Sequence, residues 1–310
     1  MRNAFADEVF KIAQEDSRVV LLSGDIGNKL FDKFKTLGSS RFFNCGVAEA
    51  NMMGVAAGMG LSGLRPFVYT ITPFTTTRCF EQIRVDVCYH NAPVVIVGTG
   101  SGLSYADLGP THHSLEDIAI LRTLPGMRVF APCDSWELRS LLHAVMKDCL
   151  PAYIRIGKKG EPDIHTSPPN LKIGEAIVVR PGNELAILAA GNMMGPSLQA
   201  AQILSKSGIS AEVVSFYSLK PLDIKYLNNA SSRFPLIVTV EEHGLTGGFG
   251  SAVAEWRSDE GSEVKHLRFG TADEFMHKVG SQDYARNTFG LTAENIAEKI
   301  KITLNKCASK

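Results

Sequence analysis

Net charge, long apolar runs and paired-cysteine spacing are all missing from this sequence, and each lack removes a class of function. The 32 basic and 32 acidic residues cancel, so no field that would collect nucleic acid or an anionic membrane is expected. No apolar run reaches the roughly 20 residues needed to span a bilayer. The opening Met-Arg-Asn-Ala-Phe-Ala-Asp-Glu does not read as a secretory signal. Six cysteines lie scattered without Cys-x-x-Cys spacing, which points to neither zinc nor disulfides and makes a reducing cytoplasm the expected compartment. No short repeat or low-complexity tract interrupts the chain. What remains is ordinary globular composition, 45% hydrophobic and 21% charged over 310 residues, a length that suits two domains.

Strand-like apolar runs alternate with helical spacing. Residues 4–15 read as a helix, and Val19-Val-Leu-Leu-Ser as a buried strand ending at Gly24-Asp25. Arg65-Pro-Phe-Val-Tyr-Thr-Ile is a second strand, residues 77–89 a helix and Pro93-Val-Val-Ile-Val-Gly a third strand. Residues 116–124 read as helix, 127–132 as strand and 135–147 as helix. After Ala152-Tyr-Ile-Arg-Ile-Gly the composition turns to Gly160, Pro162, Pro168 and Pro169, a linker signal. The pattern then restarts with strands at 185–190, 211–215 and 236–241 and helices at 194–207 and 248–255. Continuous Val/Ile strands between helices predict an α/β chain of two doubly wound domains with mostly parallel sheets. The expected division is residues 1–160 and 175–310 with a linker at about 161–174, and residues 305–310 are expected to fray.

One segment carries unusual chemistry. Residues 44–60 are mostly small and apolar, yet include Glu49. A carboxylate in so close-packed a stretch is either neutral or tightly partnered. The plainer reading is an Ala/Gly-rich packing helix whose Glu49 reaches solvent at its start.

Gly46-Val-Ala-Glu-Ala-Asn resembles the motif by which thiamine-diphosphate enzymes of the transketolase group present their cofactor-activating glutamate. Gly109-Pro-Thr-His-His-Ser-Leu-Glu-Asp and Pro125-Gly-Met-Arg-Val-Phe-Ala-Pro-Cys-Asp resemble the next two blocks of that family, in order. Val240-Glu-Glu-His-Gly-Leu-Thr-Gly-Gly-Phe-Gly-Ser resembles its C-terminal domain. Together the resemblance runs from about residue 2 to about residue 298. It implies that Glu49 sits beside the pyrimidine N1′ of thiamine diphosphate and favours the imino tautomer that removes the thiazolium C2 proton. Phe74 and Phe80 match two aromatics of the pyrimidine wall, with Thr77 where a third ring usually stands; both phenylalanines also read as core. His112 matches a residue that hydrogen-bonds the substrate carbonyl and its developing alkoxide, whereas His113 falls at a more variable place. Asp25, at the end of the first strand, matches an acid near the thiazolium, or is a strand-end cap.

The sequence also departs from that family. Transketolases typically carry Asp-Gly-Pro-Thr-His, where this chain has Tyr105-Ala-Asp-Leu-Gly-Pro-Thr-His, so Leu108 shifts Asp107, which stays a candidate for reading a sugar hydroxyl although the stereochemistry it would select does not carry over. Gly98-Thr-Gly-Ser-Gly stands where a phosphate-binding histidine is expected. Arg78, Arg155 and Lys158 remain as candidate grips for substrate, phosphorylated or not, and His243 reads as structural. The Gly-Asp-Gly…Asn segment that holds diphosphate and Mg²⁺ is absent. By resemblance, this chain is the pyrimidine-binding and C-terminal part of a split transketolase, with no metal ligands of its own. A second polypeptide would bring the diphosphate half, and two copies of each would form a heterotetramer. The expected reaction moves a two-carbon ketol unit from a ketose to an aldose. The alternatives are 1-deoxyxylulose-5-phosphate synthase-like chemistry, a 2-oxo-acid dehydrogenase beta subunit, and an inactive regulatory paralogue.

Overall fold

Two buried sheets organise the chain, and their strands are the continuous apolar runs of the sequence. The structure, a computed structural model, describes residues 1–27 and 29–308. In the first sheet, β1 (Val19–Ser23), β3 (Arg65–Ile71), β4 (Val95–Thr99), β5 (Arg128–Phe130) and β6 (Ala152–Ile156) are buried along their whole length. Short β2 (Phe42–Asn44) flanks them. The second sheet contains β7 (Ile177–Arg180), β8 (Leu185–Ala189), β9 (Ala211–Ser215), β11 (Leu236–Gly244) and β12 (Lys265–Thr271), while β10 (Ser218–Lys220) joins the first. Strand orders are β10-β5-β6-β4-β3-β1-β2 and β12-β11-β8-β9-β7. Only β10 and β7, each at an edge, run antiparallel. The architecture is therefore the expected α/β fold with two mostly parallel sheets.

Topology locates the functional end. After β1 the chain crosses to β2 on one side and returns to β3 on the other, so the crevice opens at the carboxyl ends of β1 and β3, where doubly wound sheets bind ligands. Asp25 follows β1, and the Thr72–Thr75 turn follows β3 directly.

The halves are not independent bodies. β10 pairs with β5, and one apolar cluster contains Val129 and Ala131 from the first half with Ala186, Leu188 and Phe216 from the second. Residues 157–176 hold no strand or helix, yet Leu171 and Ile173 pack on the first core and Ile164 on that of the second sheet. None of the described helices is long and apolar enough to cross a membrane.

Two local expectations fail. Residues 77–89 are not one α-helix: a 3₁₀ turn at Thr77–Cys79 and a short α turn lead into a π-helix at Ile83–Tyr89. The hydroxyls of Thr75, Thr76 and Thr77 bond back to carbonyls at Thr72 and Pro73, competing with a regular helical start. The chain end is also helical, Ala293–Ala308, rather than frayed from residue 305; residues 309 and 310 lie outside the described residues.

Glu8 joins the first helix, Arg2–Glu15, to the Ser135–Asp148 helix by accepting bonds from Arg139 at 2.6 Å and His143 at 2.9 Å. Burial pushes its carboxyl up, but bonds from His143, Arg139 and Lys11 outweigh that and hold it at about 2. A depressed carboxylate contributes stability above its unfolded value near 4.5 that is lost as pH falls towards 2. Glu8→Gln should therefore lower stability at pH 7 by on the order of 2 kcal/mol, allowing for half-exposed His143. It should also flatten the acid limb between pH 4.5 and 2, as read from denaturant midpoints at each pH.

Candidate active site

Glu49 opens the Glu49–Leu61 helix and is only 4% exposed. Small neighbours let this helix sit close against the sheet, and its N-terminal dipole favours an anion there. The carboxylate is tightly partnered: Arg78 donates from Nη1 to Glu49 Oε2 at 2.7 Å. The same guanidinium lies 4.1 Å from the centre of the Phe74 ring, a cation–π contact that fixes the ring beneath it. A planar, N–H-bearing group thus stacks on an aromatic face while donating to a buried carboxylate.

From Phe74 the contacts continue outward. His112 meets Phe74 edge-on at 5.3 Å between ring centres, and its Nδ1 is tied to the Thr111 hydroxyl at 2.9 Å. Nε2 therefore remains as the nitrogen to face a ligand. Tyr105 packs against His112 at 6.1 Å and carries the Lys158 ammonium 4.3 Å from its ring centre. Lys158 bonds both oxygens of Asp107, at 3.2 and 3.3 Å. Glu49, Arg78, Phe74, His112, Tyr105, Lys158 and Asp107 form one unbroken path from a buried acid to an exposed ion pair. Gly100 makes room for Tyr105: its φ is +75°, and a Cβ there would lie 1.9 Å from the Tyr105 ring. The glycine-rich turn standing where a histidine is expected thus seats an aromatic ring instead.

Other predicted residues lie elsewhere. Asp25 is exposed at the end of β1 and accepts from Asn44 Nδ2 at 3.3 Å, which ties it to the segment leading to Glu49. Phe80, at the start of the short α turn, is partly buried and packs against the hydrophobic core. His113 turns away from His112 and is buried, which pushes its pKa down.

Arg155 requires a correction. It is 4% exposed, with Nε 3.0 Å from Asp117 Oδ2 and Nη2 donating to the carbonyls of Ser114 and Glu242. Tyr153 donates to the same Asp117 oxygen at 2.6 Å, and His243 is fully buried within 4.0 Å of the other. This guanidinium joins the halves of the chain and has no free edge for a sugar or phosphate. Tyr105 and Thr111 are the participants that sequence reasoning passed over; their position beside the Gly-Pro-Thr-His motif was the available signal.

Arg155→Met would strand Asp117 without its cation, and unfolding in denaturant should lose about 3–5 kcal/mol. Lys158→Met, which breaks an exposed pair, should lose less than about 1 kcal/mol. Equal effects would contradict the assignment of Arg155 to the junction and Lys158 to the open end of the path.

Comparisons with known proteins identify the family. The family model "Transketolase, pyrimidine binding domain" matches residues 1–161, and "Transketolase, C-terminal domain" matches residues 174–296. One of the subunits of an apulose-4-phosphate transketolase from Phocaeicola vulgatus is 34% identical over 300 residues, covering 96% of this chain and 95% of that protein. A 1-deoxy-D-xylulose-5-phosphate synthase from Gloeobacter violaceus is 37% identical over 309 residues, 98% of this chain but 48% of that protein. A solved structure described as a split gene transketolase, inactive beta4 tetramer, superposes with a TM-score of 0.89 at 33% identity, covering 98% of this chain and 97% of that one. The chain belongs to the transketolase family and corresponds to the C-terminal section of a split transketolase.

Proposed function

We propose that this protein is the small subunit of a thiamine-diphosphate-dependent split transketolase that transfers a two-carbon ketol unit from a ketose donor to an aldose acceptor. The observation carrying this reading is the Arg78 guanidinium, which stacks on the Phe74 face while donating to the Glu49 carboxylate. An aminopyrimidine offers the same flat shape and a ring nitrogen for the same carboxyl, so the residues present fit that half of the cofactor. When bound, thiamine diphosphate supplies the nucleophilic carbon that takes up the two-carbon unit. Glu49 would hold the proton towards pyrimidine N1′, with Arg78 giving up its contact with the acid. Phe74 would wall the pyrimidine, and Asp25 stands on the rim at the end of β1. His112, oriented by Thr111, hydrogen-bonds the substrate oxygen through Nε2 as charge develops there. Lys158 and Asp107, at the open end, meet the polar tail of the sugar or sugar phosphate.

The diphosphate and Mg²⁺ fall to a second polypeptide, since this chain lacks the Gly-Asp-Gly…Asn segment. Pairing of two copies of each chain completes a heterotetramer. Five described cysteines are free, which fits a reducing cytoplasm. The match spans nearly the whole of a transketolase subunit but only half of the synthase, which supports the transketolase reading over the decarboxylating one.

Reconstituted with the partner polypeptide, thiamine diphosphate and Mg²⁺, the protein should turn over ketose donors in preference to pyruvate or branched oxo acids. Alone it should be inactive. Glu49→Gln should lower kcat by about 10²–10⁴-fold while the complex still assembles by size-exclusion chromatography. Undiminished turnover in that variant would refute the role of Glu49, and preference for pyruvate would refute the reaction.

A further inference from the structure

Away from the Glu49 cleft, a second group of reactive side chains converges where the first sheet meets the second half of the chain. Cys133 precedes the Ser135–Asp148 helix, Glu137 lies in its first turn, and His165 comes from the segment between β6 and β7. The Cys133 sulfur, a Glu137 carboxylate oxygen and a His165 ring nitrogen all lie within 4.8 Å of one another. Cys133 and Glu137 are buried, and the His165 side chain is 15% exposed.

The hydrogen bonding leaves this group unfinished. Glu137 Oε2 accepts the Cys133 backbone N–H at 2.7 Å, but its Oε1 makes no hydrogen bond of good geometry among the described residues, with the Ser215 hydroxyl and the Cys133 thiol as neighbours of the carboxyl. His165 Nδ1 is held by Asp134 Oδ2 at 3.0 Å, and its Nε2 is buried without a partner. The Ser215 hydroxyl, at the end of β9, stands beside Glu137 without closing a well-formed bond. Asp134 is by contrast saturated, accepting the backbone N–H groups of Trp136, Glu137, Ile164 and His165. Unpartnered buried polar atoms are rare and costly. Here two of them belong to side chains of the same close group, and a carboxylate stands behind the histidine in the arrangement that orients metal-binding imidazoles.

We propose that Cys133, Glu137 and His165 form a binding site for one divalent zinc-like cation, which fastens the segment between β6 and β7 to the junction of the two halves. A thiolate, a carboxylate and a neutral imidazole around a divalent ion make a net-neutral centre, which suits a buried position. Thiolate and imidazole favour zinc over Mg²⁺. Tetrahedral coordination at bond lengths of about 2.0–2.3 Å brings ligand atoms to about 3.3–3.8 Å apart, so the three groups need to close by about 1 Å. The fourth position is left to water or to Ser215. A thiol must lose its proton to bind the ion, so binding should release protons and tighten as pH rises.

The test is Co²⁺ titration of the full chain after chelator treatment, followed by absorption, with Zn²⁺ competition and thermal unfolding in parallel. One equivalent of Co²⁺ should give a thiolate-to-cobalt charge-transfer band, Zn²⁺ should displace it, and either ion should raise Tm. Cys133→Ser should abolish the band. His165→Gln should weaken binding at least about 100-fold, beyond the 10–100-fold typical of losing an outer partner. Cys149→Ser, which alters an exposed thiol, should change nothing. Absence of a band with stoichiometric Co²⁺, or a band that survives Cys133→Ser, would overturn the proposal. Should Cys133→Ser fail to fold by circular dichroism, His165→Gln decides by itself: unchanged affinity there rejects the site.

Discussion

A charged carboxylate enclosed by small residues at a helix start cannot stay unpaired, and the cleft of this protein is arranged around that constraint. Removing such a charge from water costs several kcal/mol unless a cation and good hydrogen bonds compensate. Glu49 meets the condition through Arg78. Arg78 in turn fixes Phe74, and Phe74 is the surface against which His112 sits. Each contact therefore inherits its position from the one before. The sheet supplies the place, because the crossing of the chain between β1 and β3 opens a crevice there. Along this path polarity changes from a dry acid to an exposed ion pair, an order suited to a ligand with one flat, buried end and one hydrated end.

A second set of buried charges serves a different purpose. Arg155 and Lys158 stand three residues apart at the end of β6, yet burial separates them completely. Arg155 is enclosed by Asp117 and by carbonyls from both halves of the chain. Lys158 lies past the strand and meets Tyr105 and Asp107. Around Arg155 the junction is closed further by Glu242, which accepts from Leu103, Gln282 and Arg286. Gly102 permits that approach, since a Cβ there would stand 2.7 Å from the Glu242 carbonyl. Two cations of similar appearance in sequence thus divide into one that holds the molecule together and one in a partly open ion pair.

Much of this was legible in the residues. Strands β1, β3 and β9 read true to their ends, because a strand covered on both faces has to be a continuous apolar run. Edge strands β7 and β10 were missed: they are short, antiparallel and, for β7, only partly buried, so no such run marks them. Glu49 and His112 stand in short local motifs and could be picked out directly. The Glu49–Arg78 contact could not, since 29 residues separate the partners and only the packing of the Glu49–Leu61 helix brings them together. Arg155 misled because an arginine at a strand end looks available until the second half of the chain covers it. Phe80 was legible as a core residue, and it packs against the hydrophobic core. Cys133 and His165 escaped notice because spacing rules look along the chain, and these two meet across it.

The antiparallel strand β10 gives the two halves a shared evolutionary fate. It is drawn from beyond the segment at residues 157–176, yet it completes the edge of the sheet that carries the cleft. A first half expressed by itself would present β5 as a bare edge, an invitation to self-association. Recombination at that segment, which the two family matches make look like a natural seam, would instead cut through a common sheet. Such halves share one sheet edge, so neither is structurally complete without the other.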